Sequence, residues 1–168
     1  MEELSFALSG PPGFLTFSAS VLNYFEQHRQ RRCFSKEAGG QLFARYEPNC
    51  IQIQIATGPY PTDQRSRHNF TPDRDQEQRD IDRFFSERLH FVGNWHTHPQ
   101  RTPKPSETDI FNTRERFNLS DHSLKAFVIV IVGLRLFPHG LYVGLIDSLN
   151  IRRLRSNKAA KTKQPGHC

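Results

Sequence analysis

The stretch that decides the fold runs from residue 91 to residue 109 and reads FVGNWHTHPQRTPKPSETD. Its first five residues are typical of a β-strand, in which successive side chains point to opposite faces. His96 and His98 should therefore project from one side of the strand, and Thr97 from the other. Because Pro99 cannot continue a central strand, the chain is predicted to turn directly after the second imidazole.

A helix is predicted to begin at Ser106, since Ser-x-x-Asp before an apolar run is typical of a helix capping box. The same spacing places Asp109 in the first helical turn. Two imidazoles and one carboxylate are the protein ligands of a catalytic zinc whose fourth position stays open for water. Capping and metal binding do not exclude one another, and either half of the pattern also occurs without a metal. The complete pattern, H-T-H-P-x6-S-x-x-D, has a chance probability of roughly one in ten thousand.

Such a site also needs a base that is not itself a ligand, and Glu37 is the best candidate. It precedes the pair Gly39-Gly40, which indicates a close backbone approach or a positive φ. The segment from Leu42 to Tyr46 then reads as a core strand. Taken by itself, Glu37 is typical of a solvated surface residue, so its functional interpretation depends on the downstream motif.

Together these residues resemble the motif of the JAMM (MPN-plus, JAB-domain) zinc metallopeptidases. The family pattern is an upstream glutamate, then His-Ser/Thr-His-Pro, seven residues counted from that second histidine to a serine, and an aspartate three positions later. It is matched by Glu37, His96, Thr97, His98, Pro99, Ser106 and Asp109. The flanking segments EAGGQLF (from residue 37), RHNFTPD (from 67) and GNWHTHP (from 93) resemble short prokaryotic JAB proteins. The resemblance covers residues 15–150.

The resemblance implies hydrolysis of the amide bond after the C-terminal tail of a ubiquitin-like or similarly conjugated protein. One Zn²⁺ per chain would be held by His96, His98 and Asp109. Glu37 would move the proton, and the Ser106 hydroxyl would stabilise the oxyanion. Several prokaryotic members lie in CBASS-type antiphage operons, where they reverse a ubiquitin-like conjugation, and a cyclic-nucleotide synthase is one acceptor this suggests. Asn94 departs from that branch, whose members more often carry glutamate there, but it lies outside the ligand set.

Other functions share parts of the pattern. A sulfur-carrier or other ubiquitin-like precursor-processing peptidase, or a phage-tail JAB peptidase, would use the same residues on a different substrate. Relatives that have lost ligands act as non-catalytic scaffolds, and the intact ligand set argues against that reading. A JAMM-like site also occurs in RadC-type proteins linked to DNA metabolism, an alternative that the charge distribution does not favour.

The composition predicts one compact domain followed by a basic tail. The 168 residues suit a single core, and no apolar run approaches the length of a membrane span. Six of the 23 lysines and arginines follow Ile151, so the remaining 17 balance the 17 aspartates and glutamates. Neither nucleic acid nor membrane is therefore an expected partner. Three cysteines without ligand spacing, and no signal peptide, predict a reduced cytoplasmic protein. We assign residues 1–154 to the metallopeptidase domain and 155–168 to a flexible tail.

The remaining periodicities predict an α/β/α sandwich around a mixed central sheet. Helices are predicted over residues 18–30, from 71 or 73 with Ile81, Phe84, Phe85 and Leu89 on the buried side, and from 106 to about 117. Strands are predicted at 42–46, 51–55, 91–95, 127–132, 140–146 and 149–154. The continuous apolar run 127–132 indicates a central strand that is covered on both faces. The segment 56–68 is predicted to be mobile.

Overall fold

The structure, a computed structural model, describes residues 2–157. Within these residues the chain forms ten strands, which are β1 (Leu4–Ala7), β2 (Phe14–Phe17), β3 (Gly39–Glu47), β4 (Cys50–Ala56), β5 (Gln64–Arg65), β6 (Phe70–Thr71), β7 (His90–Thr97), β8 (Phe127–Val132), β9 (Leu141–Ile146) and β10 (Ile151–Arg153). The helices are α1 (Ala19–Gln27), α2 (Arg74–Ser86) and α3 (Glu107–Leu119). None of these helices is long and apolar enough to cross a membrane.

Eight strands form one mixed sheet in the order β1-β2-β4-β3-β7-β8-β9-β10, and β5 pairs with β6 in a separate hairpin. The β2–β4 and β7–β8 pairs are parallel, whereas the other neighbours are antiparallel. Because β7 and β8 are parallel, both end at the same edge of the sheet. Every residue of β8 is buried, which confirms the predicted central strand.

The helices cover both faces of the sheet and confirm the predicted sandwich. On one face, α1 buries Phe25 against Trp95, with ring centroids 5.1 Å apart. On the opposite face, α2 packs Phe84 against Phe43 at 4.6 Å, and Ile110 of α3 packs against the cluster that includes Ile129. Aromatic pairs at these separations add to the burial of apolar area. Since successive strand residues face opposite layers, Trp95 and its neighbour His96 belong to different layers.

Side chains that cap the helices explain where α1 and α2 begin. Ser18 accepts a hydrogen bond from the Val21 amide, and Asp73 accepts from the amides of Asp75 and Gln76. Each cap satisfies amide groups that have no partner inside the helix. Asp73, one of the two predicted starting positions, is therefore the cap of α2. The first helix was predicted to extend to residue 30, but α1 ends at Gln27.

Two predictions about the second helix and the N-terminal region were wrong or incomplete. Phe85 was expected on the buried side of α2, yet it is 65% exposed. Phe84 lies on the narrow side of α2 that faces the sheet. Because that side is narrow, the neighbouring Phe85 side chain points away from the sheet. Strands β1 and β2 were not predicted, because each has only four residues and they flank a Gly-Pro-Pro-Gly turn.

The segment expected to be mobile, residues 56–68, is instead tied to the core. The Thr57 carbonyl accepts a 2.9 Å hydrogen bond from the Trp95 indole, and the next carbonyl, of Gly58, accepts from the Tyr24 hydroxyl. The Asp63 carboxylate accepts from the Asp73 amide at 2.9 Å, which joins the segment to the start of α2. These bonds reach elements on both sides of the sheet, so the segment is part of the scaffold.

The chain after β10 continues along the first strand. The Arg155 carbonyl accepts from the Ala7 amide at 3.4 Å, and the Asn157 amide donates to the Ser5 carbonyl at 2.9 Å. Residues 155–157 are therefore held against β1, although they were assigned to the tail. The rest of the predicted tail, residues 158–168, lies outside the described residues.

Candidate metal centre

The register between β3 and β7 brings the candidate base beside the candidate ligands. Gly39 is the cross-strand partner of His96, and the Thr97 amide donates a 2.8 Å hydrogen bond to the Ala38 carbonyl. One step further along this antiparallel register, Glu37 lies opposite His98. Side chains at paired positions leave the same face of a sheet, so Glu37 and His98 point into the same space.

The two glycines after Glu37 mark a close approach, as the sequence predicted. A Cβ on Gly39 would lie 2.7 Å from the Phe70 ring, and one on Gly40 would overlap the Thr57 carbonyl. Neither glycine has a positive φ, so close packing alone accounts for them. The start of β3 is therefore pressed against the segments that surround it.

Thr97, the residue between the two histidines, is buried on the opposite side of β7 with no exposed surface. Its hydroxyl oxygen accepts a 3.0 Å hydrogen bond from the Ala38 amide, and the hydroxyl donates to the Gln30 side-chain oxygen at 3.1 Å. The predicted alternation is thus confirmed, with the imidazoles on the other side. Both the amide and the hydroxyl of Thr97 therefore join β7 to Ala38, the residue after Glu37.

The first turn of α3 supplies the carboxylate. The Ser106 hydroxyl accepts a 3.1 Å hydrogen bond from the Asp109 amide, and the Asp109 carboxylate accepts a 2.6 Å bond from the Ser106 amide. This is the predicted capping box, and it aims the Asp109 carboxylate back towards the strands. The loop from Pro99 to Pro105 makes the connection, and its Gln100 carbonyl is anchored by the Leu134 amide at 2.8 Å.

Four of the predicted site residues converge on one point. The Nε2 atoms of His96 and His98 lie 3.1 Å apart, and the Asp109 oxygens lie 3.2 Å from the former and 3.4 Å from the latter. Glu37 Oε1 lies 3.8 Å from the His96 Nε2 and 3.7 Å from that of His98. All four side chains are largely buried, with Glu37 the least exposed at 7%.

The donor atoms fit a tetrahedral metal ion. Ligand atoms roughly 2 Å from a tetrahedral zinc lie about 3.3 Å from one another. The 3.1 Å between the two imidazole nitrogens matches this value, and each imidazole nitrogen has an Asp109 oxygen at a similar distance, Oδ1 at 3.2 Å from His96 and Oδ2 at 3.4 Å from His98. Glu37 also lies within 4.8 Å of both imidazoles, so it could be a ligand by proximity alone. Its longer distances from the imidazole nitrogens, 3.8 and 3.7 Å, favour a place beside the fourth coordination position, which water would occupy.

The surroundings shift the pKa values of the Glu37 and Asp109 carboxyl groups in opposite directions. Burial raises the pKa of Glu37, and the neighbouring Asp109 adds to this, whereas the two imidazoles act in the opposite direction. For Asp109, burial also opposes ionisation, but hydrogen bonds from His96 and His98 outweigh it and hold the pKa well below its usual range. Of the two carboxyl groups, Asp109 therefore has the lower pKa and Glu37 the higher.

A family comparison agrees with this geometry. Residues 19–143 match the family model described as prokaryotic homologs of the JAB domain. The chain belongs to this family. The matched residues include Glu37, both histidines, Ser106 and Asp109, so the whole candidate centre lies inside the JAB domain.

Relatives of this JAB-domain protein include isopeptidases. A CD-NTase/cGAS isopeptidase of Pseudomonas aeruginosa (strain BWHPSA011 / Pa011) is 31% identical over 135 residues, which are 79% of this chain and 82% of the relative. A protein of the same name from Escherichia coli (strain TW11681) is 27% identical over 66% of this chain and 72% of the relative. The chain is accordingly a peptidase of the JAB family.

A solved structure shows the same fold. The solution structure of a protein from Desulfitobacterium hafniense superposes with a TM-score of 0.58, at 19% identity, over 83% of this chain and 88% of that chain. It supports the α/β fold of the JAB domain.

Two groups behind the JAB centre were missed by sequence reasoning. Asn94 bridges β3 and α3, because its amide nitrogen donates to the Gly40 carbonyl at 3.2 Å and its oxygen accepts from Arg116 at 3.0 Å. Arg116 also pairs with Glu77 of α2 at 3.1 Å. Asn94, which stands where glutamate was expected, thus connects β7 to α3 directly and to α2 through Arg116. Gln30, the second missed group, lies behind Thr97, and no sequence spacing connects it to the motif.

Proposed function

We propose that this JAB-domain protein is a zinc-dependent isopeptidase that hydrolyses the amide bond after the C-terminal tail of a ubiquitin-like or similarly conjugated protein. The observation that supports this most directly is the convergence of His96, His98 and Asp109, whose nitrogen and oxygen atoms lie 3.1–3.4 Å apart, with the buried carboxyl group of Glu37 beside them. That arrangement suits the attack of water on an unreactive amide.

His96, His98 and Asp109 would hold one zinc ion per chain. Zinc in such a site acts as a Lewis acid and lowers the pKa of water towards neutrality. The ionised Asp109 balances part of the metal charge, and its capping bonds to Ser106 limit its rotation. His96 and His98 would each offer an Nε2 atom to the ion, and these two atoms lie 3.1 Å apart.

Glu37 serves as the general base. It is buried beside both imidazoles, and its raised pKa makes its carboxylate a stronger proton acceptor than a solvated glutamate. It would take the proton of the attacking water and deliver it to the leaving amine. Its backbone amide donates to the Ser66 carbonyl at 2.7 Å, and its carbonyl accepts from the Arg65 side chain at 2.6 Å. These bonds fix the backbone from which the carboxyl group projects.

Ser106 stabilises the oxyanion that develops on the scissile carbonyl. Its hydroxyl oxygen accepts from the Asp109 amide, so the hydroxyl hydrogen stays available to donate. The side chain is exposed at the start of α3, where a substrate can reach it. One oxyanion donor is typically worth about 3 kcal/mol of transition-state stabilisation.

The names of two relatives support the proposed biological reaction. Two of them are CD-NTase/cGAS isopeptidases, which supports reversal of a ubiquitin-like conjugation in bacterial antiphage defence, in the cytoplasm. The substrate would be a conjugated protein, with a cyclic-nucleotide synthase as the candidate acceptor. Residues 1–154 would form the catalytic unit, and residues 155–157 are joined to it along β1.

The test is cleavage of a protein fused through its C-terminal tail to a second domain, monitored with purified protein of measured zinc content. We expect one zinc per chain, cleavage that stops with a chelator, and recovery on adding zinc. Glu37→Gln should keep the zinc and lose at least about a hundredfold of the cleavage rate, since the general base is removed.

Glu47→Gln is the matched control, because Glu47 lies at the far end of β3, the strand that follows Glu37, and is exposed. It should cleave like the wild type. Absence of zinc from folded wild-type protein would sink the enzyme proposal and favour a scaffold. Loss of zinc from Glu37→Gln would instead make Glu37 a ligand.

A further inference from the structure

A buried glutamine side chain joins the strand of the two histidines to the segment before Glu37 and to the loop between β5 and β6. Gln30 follows α1, on the face of the sheet opposite the imidazoles, and is only 2% exposed. Its side-chain oxygen accepts from the Thr97 hydroxyl at 3.1 Å. Its side-chain nitrogen donates to the carbonyls of Ser35 at 3.2 Å and Arg67 at 2.8 Å. Two carbonyl acceptors require the NH₂ group, so the orientation of this amide is determined.

Each of these bonds ends next to a part of the site. Thr97 separates the two histidines, and Ser35 lies two residues before Glu37. Arg67 follows Ser66, whose carbonyl accepts the Glu37 amide at 2.7 Å. The single amide of Gln30 therefore holds the ligand strand and both segments that fix the backbone of Glu37.

The direction of the Thr97 hydroxyl makes this link specific. A hydroxyl has one hydrogen, and here it is donated to Gln30. The lone pairs of its oxygen then face the Ala38 amide, which donates to it at 3.0 Å. Without the Gln30 acceptor, the hydroxyl can rotate, and the bond that holds Ala38, the neighbour of Glu37, is no longer enforced.

We propose that Gln30 is a positioning residue for the general base: through Thr97 and the backbone at residues 35 and 67, it sets the distance between Glu37 and the two histidines. This inference rests on the proposed function. In this role Gln30 contacts neither substrate nor metal. It affects the position of the base and leaves the ligands in place.

The test compares Gln30→Met with Gln41→Met in the full-length, zinc-loaded protein. Gln41 is also 2% exposed and lies on β3, but its side-chain oxygen has no hydrogen-bond partner within residues 2–157. Both substitutions replace a buried amide by a side chain of similar volume. Gln30→Met should keep one zinc and a KM within about twofold of the wild type, and lower kcat by about ten- to a hundredfold, because small misplacements cost that much.

A double substitution separates positioning from general damage. If Gln30 acts through Glu37, then Gln30→Met should not reduce the residual rate of Glu37→Gln any further, since effects of residues that act as a unit are not additive. Amide hydrogen exchange gives a readout without catalysis: the Ala38 amide should exchange faster in Gln30→Met and unchanged in Gln41→Met.

Three results would overturn the positioning role. These are a kcat equal to that of Gln41→Met, an additive loss in the double variant, or loss of zinc together with kcat. Failure of the proposed function looks different, because the wild type itself would then show no chelator-sensitive cleavage. In that case faster exchange at Ala38 would still support the structural link, and unchanged exchange would refute it.

Discussion

His96 and His98 come from β7 and Glu37 from the residues just before the neighbouring strand β3, whereas Ser106 caps α3 and Asp109 lies in its first turn. We call the first three residues the strand half of the centre and the other two the helix half. The strand half is buried and is linked by hydrogen bonds to Gln30, which follows α1, and to Ser66, which precedes β6. In the helix half, the two capping-box bonds hold Asp109, Arg116 of the same helix bonds to Asn94 of β7, and Ser106 is exposed. The strand half carries the two proposed imidazole ligands and the proposed base, while the helix half, which is nearer to solvent, carries the proposed carboxylate ligand and the proposed oxyanion donor. A substitution in the strand half should therefore disturb more of the molecule.

The largest effect is expected from His96→Ala, which removes a ligand of the strand half. Two remaining ligands are too few for a tetrahedral zinc site, so zinc and cleavage should both be lost. Zinc content by elemental analysis, beside the cleavage rate, checks this. His90→Ala on the same strand is the control, since His90 is exposed, and it should retain both. Full zinc occupancy in His96→Ala would contradict the ligand assignment.

Ser106→Ala probes the helix half and should have the next largest effect. Cleavage is expected to slow by about a hundredfold with zinc retained, because one oxyanion donor is lost. The lost cap should also lower the free energy of unfolding by about 1 kcal/mol. Ser18→Ala, which removes the cap of α1, should cost similar stability without slowing cleavage. Equal rates for the two variants would remove Ser106 from the mechanism.

The sharpest comparison of the two halves is expected from the stability of variants at two buried threonines. Thr97 bonds to two other segments, whereas the Thr113 hydroxyl donates to the Asp109 carbonyl of its own helix at 2.8 Å. Thr97→Val leaves buried partners unsatisfied and should lower the free energy of unfolding by about 1–3 kcal/mol. Thr113→Val should cost less than about 1 kcal/mol. Urea unfolding measures both, and equal costs would mean that the halves are held alike.

The elements that sequence reasoning predicted correctly are those with strong local signals. The capping box located the start of α3, the apolar run 127–132 located the central strand, and the alternation around Thr97 placed the imidazoles on one side. These signals depend on chain geometry over a few residues. Phe85 was misplaced because apolar spacing alone does not define how much of a helix the sheet can cover.

Long-range links were beyond local patterns. Asn94 differs from the expected glutamate, and its reason becomes visible only in the bridge from Gly40 to Arg116. The segment 56–68 has the composition of a loose loop, yet the Trp95 indole and the Asp73 amide bind it to the core. Both cases depend on which distant residues meet, and no periodicity encodes that.

By itself, the sequence determined the chemical identity of the centre: two imidazoles and a carboxylate at spacings that a strand, a turn and a capped helix convert into one site. These are local matters, because side-chain alternation and capping depend on neighbours in the chain. Only the tertiary structure decided that Glu37, 59 residues before His96 in the chain, stands opposite His98, and that Gln30 lies behind both. Strand register and the meeting of distant segments arise from packing of the whole core, so they exist only once the sheet has formed.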